Sequence, residues 1–309
     1  MLWVSISLLL SSVGIAQAGV DSDRDGLSDD HEQVLLEQFR PTFMISATDC
    51  ASRPSRFEPD QGVPRPVAAD GTIYGQVFPI PGSRNVEIHY YTLWDRDCGR
   101  IKHPLDVEHV SVIVIDTQGS EPQALYWYAG AHEKTACDIS SGARAKAIDA
   151  ERHGPKVWSS SGKHALYLRK EMCHHGCGSD VCDDDVEIAQ NGQVINLGEL
   201  NSPANGSSWV ISSHWALADK MDSDFSADVI ARLDVTSGET VITLRGSSSL
   251  RGTIQGSDAA LGGAAIGARH TSTAMDTANS HTSRSLGKAT RATGRSLKRA
   301  WNAVFGGSK

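Results

Sequence analysis

From about residue 70 the chain alternates apolar and polar positions in short runs bounded by Gly, Pro, Ser and Asn, the period of half-buried strands. Runs at 72–80, 86–94, 107–115, 124–130, 164–169, 194–197, 209–213, 228–233 and 240–245 predict strands. Many strands with few helices predict a mainly β fold, an antiparallel β-sandwich of jelly-roll-like kind. One helix is expected ahead of it, from Asp29 to Phe39, with Val34, Leu35, Leu36 and Phe39 turned inward and Pro41 ending it. Beyond residue 246 the strand period stops, and Ser, Gly, Ala and Thr predominate as in a flexible linker. At 285–305, Leu297, Trp301, Val304 and Phe305 recur at helical spacing among Lys288, Arg291, Arg295, Lys298 and Arg299. That spacing predicts a basic amphipathic helix, whereas Gly287 and Gly294 favour a disordered basic tail.

The first eighteen residues change the picture by adding a compartment. An apolar stretch from Leu2 to Ile15 followed by Ala16-Gln17-Ala18 has the small-x-small form of a secretory cleavage site. The expected organisation is a signal peptide at 1–18, a calcium-binding loop and helix at 19–41, a β-sandwich domain at 42–246, and a linker with basic tail at 247–309. The product would be secreted or extracytoplasmic, and periplasmic in a Gram-negative host. Six cysteines follow the leader, at 50, 98, 137, 173, 177 and 182. In an oxidising compartment they predict three disulfides, with fifteen possible connectivities. Zinc held by Cys173, Cys177 and Cys182 with His174 or His175 is the alternative. The tail carries nine Lys/Arg against two acids from residue 251 on, a net +7, so the rest of a chain of net −8 carries −15. The tail therefore offers contact with anionic membranes or polyanions, and nothing in the sequence points to a specific nucleic acid. The oligomeric state is left open.

Directly after the leader, Asp21-Ser-Asp23-Arg-Asp25-Gly26-Leu27-Ser-Asp29-Asp-His-Glu32 matches the twelve-residue calcium loop at each defining position. Asp21, Asp23 and Asp25 offer alternate carboxylates, Gly26 the sharp turn, Leu27 its carbonyl, Asp29 a direct or water-mediated oxygen, and Glu32 a bidentate clamp. Once the leader is removed only Gly19 and Val20 precede the loop, so a complete EF-hand is not expected. A solvated, acidic helix cap is the bland alternative.

A second charged set surrounds the strand at 107–115. Asp106 and Glu108 are two residues apart, so in an extended strand both leave one face, with Cβ atoms roughly 6–7 Å apart. That face continues as Val110, Val112 and Val114, so the two acids open a strand whose remainder faces a core. Desolvating two carboxylates without a partner costs several kcal/mol. Protonation, a basic partner such as Arg96, Arg100 or Lys102, or a divalent cation would relieve it. His103 adds a nitrogen to the oxygens, and Asp95 and His164 stand ready on neighbouring segments. Mg2+, Ca2+, Mn2+ or Zn2+ would suit such a mixed set.

The run Tyr90-Tyr91-Thr-Leu-Trp94-Asp95, the spaced His103, Asp106, Glu108, His109 and Val110, the segment 125–130, Val157-Trp158-Ser159, and 161–167 resemble, in order, the vacuolar protein sorting 62-like proteins. The match spans roughly residues 30–215. More distantly, the strand resembles the His-Arg-His-Asp-Trp-Glu motif of the necrosis- and ethylene-inducing peptide 1-like proteins, secreted β-sandwich cytolysins that hold a divalent cation. That resemblance implies His103, Asp106 and Glu108 as ligands, with Asp95 and His164 in the upstream and downstream roles. Leu105 replaces the second His of that motif and Val107 its Trp, which puts glycolipid binding and membrane lysis in doubt.

The expected function is a secreted, cation-binding β-sandwich that recognises a surface glycan, lipid headgroup or envelope component through its metal. A metal-dependent hydrolase of phosphoesters or glycosides is the alternative, with His109, His132 or His164 as base. Ser159, Ser160 and Ser161 lie near His164, but no Gly-x-Ser-x-Gly elbow accompanies them.

Overall fold

The structure, a computed structural model, describes residues 19–58, 64–99, 102–116, 120–133, 135, 137–176, 180–183, 185–187, 192–198, 220, 222–236 and 241–244. The expected leader, the strand at 209–213 and the tail from 247 lie outside these residues. Helix α1 (Asp29–Gln38) comes first, followed by β1 (Thr42–Ser46), β2 (Arg56–Phe57), β3 (Pro66–Ala68), β4 (Ile73–Pro79), β5 (Asn85–Asp97), β6 (His103–Ile115), β7 (Gln123–Ala129) and β8 (Ser141–Arg144). Then come β9 (Lys156–Ser159), β10 (Leu166–Tyr167), the single turn α2 (Lys170–Cys173), β11 (Asp185–Glu187), β12 (Val194–Asn196), α3 (Ala227–Val235) and β13 (Val241–Thr243).

Seven strands form one sheet in the order β12-β4-β5-β6-β7-β8-β13, and four form a second in the order β10-β9-β1-β11. Consecutive strands β4 to β8 are an antiparallel meander, which short connections favour. Parallel pairing enters at two places, β1 with β9 and β12 with β4. The sheets face each other across one core: Phe43 and Ile45 of β1, Val157 of β9 and Leu166 of β10 meet Ile88, Tyr90 and Trp94 of β5, Val110, Val112 and Val114 of β6, and Trp127 of β7. Leu35, Leu36 and Phe39 of α1 join this core, as the sequence predicts for them, while Val34 is 59% exposed. The protein is a β-sandwich.

The hairpin β5–β6 is its longest unit, thirteen residues per strand. Alternation turns Val86, Ile88, Tyr90, Thr92 and Trp94 to the inner face and Glu87, His89, Tyr91 and Leu93 to the outer one. Both faces are covered. On the outer side Phe57, Ile195 and Leu197 pack against Tyr91, Leu93 and Val107, and Phe225 with Leu233 packs against Ile113 and Tyr128.

The segment 228–233, expected as a strand, is instead the middle of α3. The Ser226 hydroxyl accepts from the Val229 N–H at the helix start, and Asp228 sits in the first turn where its charge suits the positive end. Val229, Ile230 and Leu233 then fall on one side at three- and four-residue spacing and lie against the sheet. A short apolar run fits either period, and the capping serine decides it. Six strands, β1, β2, β3, β8, β9 and β11, are not foreseen, since each is five residues or fewer with no room for alternation.

Disulfides join Cys50 to Cys98 and Cys173 to Cys182, and Cys137 is disulfide-bonded as well, so the zinc alternative for the Cys173–Cys182 pair is not what forms. Cys50–Cys98 closes a separation of 48 residues, which by loop entropy is about 4 kcal/mol of constraint on the unfolded chain. No described helix is long and apolar enough to cross a membrane.

Leu233 is completely buried between α3 and the outer face of the sheet. Leu233→Ala should therefore cost about 2–5 kcal/mol in urea unfolding, while the exposed Val235→Ala in the same helix should change the midpoint little.

Candidate functional site

Asp106 and Glu108 leave the inner face of β6 together with Val110, opposite Trp94 and Thr92. Asp106 Oδ2 lies 3.0 Å from Nδ1 of His164. His164 is fully buried in a left-handed backbone conformation (φ +58°), its ring stacked on Trp94 at 3.9 Å with planes 7° apart. A non-glycine residue held there costs on the order of 1–2 kcal/mol, so the surrounding contacts must fix it. The other ring nitrogen, Nε2, faces Asp49 Oδ1 at 3.5 Å, too far for a good hydrogen bond, and is buried with no hydrogen-bond partner. Burial opposes a charged imidazole here, yet Asp106 and Asp49 on either side push His164 up to about 9.

Glu108 is nearly inaccessible (6% exposed), and its Oε2 makes no hydrogen bond. The nearest cation is Lys220 Nζ at 3.9 Å, itself drawn to Glu133 at 2.8 Å. Burial raises the Glu108 carboxyl well above the usual range, and Asp106 and Glu133 push the same way against Lys220. Asp97 is also raised, first by burial and then by Asp106.

Of the five residues expected around the cation, the structure brings Asp106, Glu108 and His164 into one electrostatic group. His103 stands at the entrance, half exposed, its Nε2 3.7 Å from Asp97 Oδ2. Asp95 does not join them: it closes on Arg96, with Oδ2 taking Nε at 3.0 Å and Nη2 at 2.8 Å. The ladder is interrupted at this point, where Leu105 takes φ +60° between the pairs Trp94–Asp106 and Arg96–Pro104. The carboxylate beside His103 is that of Asp97, two residues on. Neither Asp97 nor Asp49 stands out in the sequence. The only signal for Asp49 is its neighbour Cys50, whose bond to Cys98 brings it beside the end of β5, and connectivity is unreadable from spacing.

The N-terminal acids form a separate cluster, with carboxylate oxygens of Asp21, Asp23 and Asp25 within 4.8 Å of one another. Asp21 Oδ2 accepts from the Gly26 N–H at 3.1 Å, and Asp25 Oδ1 from the Leu27 N–H at 2.9 Å. Gly26 has φ +101°, which the turn requires and side chains resist. Asp21 Oδ1 is buried with no hydrogen-bond partner. Burial, with Asp25 and Asp21 close by, pushes Asp23 up to about 6. Asp29 uses both oxygens on Ser22, accepting from its N–H at 2.7 Å and its hydroxyl at 2.6 Å. Glu32 is buried, and its Oε2 accepts from Asn196 Nδ2 at 3.3 Å. The loop presses on the end of β12 so closely that a Cβ on Gly198 would sit 2.8 Å from Asp23 Oδ2.

A third polar group fills the outer face of the β5–β6 hairpin. His89 and His109 lie there, both essentially inaccessible, with Glu87, Glu133, Asp224 and Lys220 around them. His109 is pushed up to about 10: burial works against its charge, and Asp224 and Glu133 outweigh burial. A fourth group centres on Asp180, completely buried, which accepts from Lys163 Nζ at 2.6 Å and Tyr167 Oη and lies 2.6 Å from His132 Nε2. The bases expected at His109 and His132 are thus engaged away from Asp106.

No family model and no curated protein matches the chain, so the likeness to vacuolar protein sorting 62-like proteins rests on short motifs alone. Solved structures that match belong to the necrosis- and ethylene-inducing protein group. NLPPya in complex with mannosamine is 14% identical over 67% of this chain and 94% of its own, with a TM-score of 0.39. NLPPya in complex with glucosamine is 16% identical over 64% and 92%, also at 0.39. Necrosis and ethylene inducing protein 2 from the agent of cocoa's witches broom disease is 20% identical over 44% and 67%, at 0.32. A likeness of this size assigns no residue role to the present chain.

Asp180 sets a pH dependence. Burial alone would raise its carboxyl, but His132, Lys163 and Tyr167 hold it below the usual value. A depressed native value stabilises the fold above the unfolded value of about 3.9, and that contribution disappears as pH falls through the native value. Thermal melts should show wild type losing stability below about pH 4. Asp180→Asn should be less stable at pH 7 by about 1–3 kcal/mol, because the buried carboxylate charge that Lys163, His132 and Tyr167 share is removed, and should have a flatter acid limb.

Proposed function

We propose that the protein is an exported β-sandwich that holds a divalent cation beside Asp106 and uses it to recognise oxygen-rich ligands on a surface: a glycan, a lipid headgroup or an envelope component. The observation that supports this reading is a buried carboxylate oxygen with no hydrogen bond, Glu108 Oε2, on the same strand face as Asp106, whose Oδ2 meets the buried His164 Nδ1 at 3.0 Å. No hydrogen bond relieves that oxygen, and the ammonium of Lys220, 3.9 Å away, donates to Glu133 instead. A dication at this ledge would relieve Asp106 and Glu108 together. Asp106, Glu108 and His164 are the residues that would hold it, with His103 and Asp97 at the solvent side in place of Asp95. Mixed oxygen and imidazole donors fit Mg2+, Mn2+, Ca2+ or Zn2+. Such an ion polarises ligand oxygens when bound. The exposed flank at His103 is where a ligand would reach it.

The N-terminal loop has a structural part in the same reading. Calcium among Asp21, Asp23 and Asp25 would quench their mutual repulsion and fix α1, whose Leu35, Leu36 and Phe39 enter the core. The disulfides fit an oxidising, extracytoplasmic setting. Of the three bases expected for a hydrolase, His109 and His132 are paired elsewhere, and His164 is held between Asp106 and Asp49.

Elemental analysis tests both ions. Wild-type protein dialysed against calcium and manganese should retain one equivalent at the Asp106 ledge that Asp106→Asn/Glu108→Gln lacks; identical manganese content would overturn the ledge site. Asp21→Asn/Asp25→Asn should abolish a calcium-dependent rise in Tm present in wild type, and a rise that persists would remove the calcium loop. Ligand recognition is read on glycan arrays and anionic vesicles, where binding should vanish with chelator and with the Asp106/Glu108 variant.

A further inference from the structure

The outer face of the hairpin holds a cluster that the ledge does not use. Inward and outward positions alternate along β5 and β6, so Glu87, His89, Tyr91, His109 and Ser111 point away from the core occupied by Asp106 and Glu108. They are nonetheless buried, because the segment 222–236 lies across them and delivers Asp224. His89 Nδ1 faces His109 Nε2 at 3.0 Å, and Asp224 Oδ2 lies 3.0 Å from the same His109 nitrogen. The two rings are almost parallel, 6° apart, with Tyr91 stacked beyond His109.

We infer that His89 Nδ1, His109 Nε2 and Asp224 Oδ2 form a closed binding site for a transition-metal dication of the zinc kind, which fastens the segment carrying α3 to the sheet.

Three features converge on this. The first is spacing: donors about 2.0–2.1 Å from one metal stand about 3.0–3.4 Å from each other in octahedral or tetrahedral shells, and the two closest pairs here are at 3.0 Å. The second is what stands behind the donors. His89 Nε2 meets Glu87 Oε1 at 3.2 Å, and His109 Nδ1 meets Glu133 Oε2 at 3.3 Å, so each imidazole has a carboxylate at its far nitrogen, the arrangement that orients metal-bound histidines. Those carboxylates are anchored in turn: Glu87 accepts from Ser223 Oγ at 2.5 Å and the Asp224 N–H at 3.0 Å, and Glu133 from Tyr128 Oη at 2.6 Å and Lys220 Nζ at 2.8 Å. Ser111 Oγ donates to Asp224 Oδ2 at 2.6 Å.

The third is charge. Glu87, Glu133 and Asp224 bring three negative charges and Lys220 one positive, a deficit of two in a space closed to water. Protons on the histidines supply only one of these. The line between His89 Nδ1 and His109 Nε2 has room for a single hydrogen at 3.0 Å, so both rings cannot be cationic. A dication bound to two neutral imidazoles supplies both. Two nitrogens and one carboxylate oxygen favour zinc, cobalt or nickel over calcium, which takes all-oxygen shells.

The test uses the full chain, stripped with chelator and returned to excess calcium with one equivalent of Zn2+. Crystals measured at the zinc absorption edge should show an anomalous peak between His89, His109 and Asp224. A peak only at the Asp106 ledge, or none, overturns the site and leaves a proton-shared network. In solution, Asp106→Asn/Glu108→Gln protein should still retain one zinc, and Glu87→Gln should bind it about 10- to 100-fold more weakly, as loss of an orienting partner does. Zinc affinity unchanged by Glu87→Gln counts against the site, and because that substitution spares all three donors, it separates weakened binding from failure to fold, which circular dichroism monitors.

Discussion

The structure depends on the double burial of the β5–β6 hairpin. Most half-buried strands can send every charged residue to water, but here α1 and the smaller sheet close one side while Phe57, Leu197 and α3 close the other. Alternation then has no solvated face to offer, and Glu87, His89, Glu108 and His109 are all desolvated. A charge so placed costs several kcal/mol unless something opposite in sign is fixed beside it. The chain meets this with residues brought from far along the sequence: His164 and Asp49 on the inner side, and Glu133, Lys220 and Asp224 on the outer.

The two sides solve the problem differently. On the inner side acids gather near the edge where β7 has ended at Ala129, and His103 opens to solvent. On the outer side acids and imidazoles interleave, each histidine nitrogen facing a named partner. An edge site suits exchange with ligands, and a sealed one suits permanence. With the proposed ions bound, the hairpin would have a recognition side and a fastening side within one strand's thickness.

Much of this was legible in the residues, and the limits were physical. The long strands of the meander and helix α1 have enough residues for their period to show, and Asp106, Glu108 and Val110 lie on one face as spacing requires. Segment 228–233 was ambiguous because six apolar-rich residues fit two periods, and the decisive Ser226 hydroxyl lies just before it. Asp97 was hidden by the left-handed Leu105, since a pattern argument assumes an unbroken ladder. Asp49, Lys220 and Asp224 were invisible for a different reason: their importance comes from tertiary proximity across 87 to 113 positions, which no local pattern encodes.

If the proposed ledge holds its ion, the Cys50–Cys98 bond would give the molecule an order of maturation. It ties the residue next to Asp49 to the residue next to Asp97, so the two acids flanking the ledge are positioned through one covalent link. A freshly made, reduced chain would carry Asp49 on an untethered turn and would present an incomplete shell to any ion it met. Selectivity for the ion would thereby be acquired only after oxidation, so the metal supply of the destination, rather than that of the place of synthesis, would decide what the protein carries.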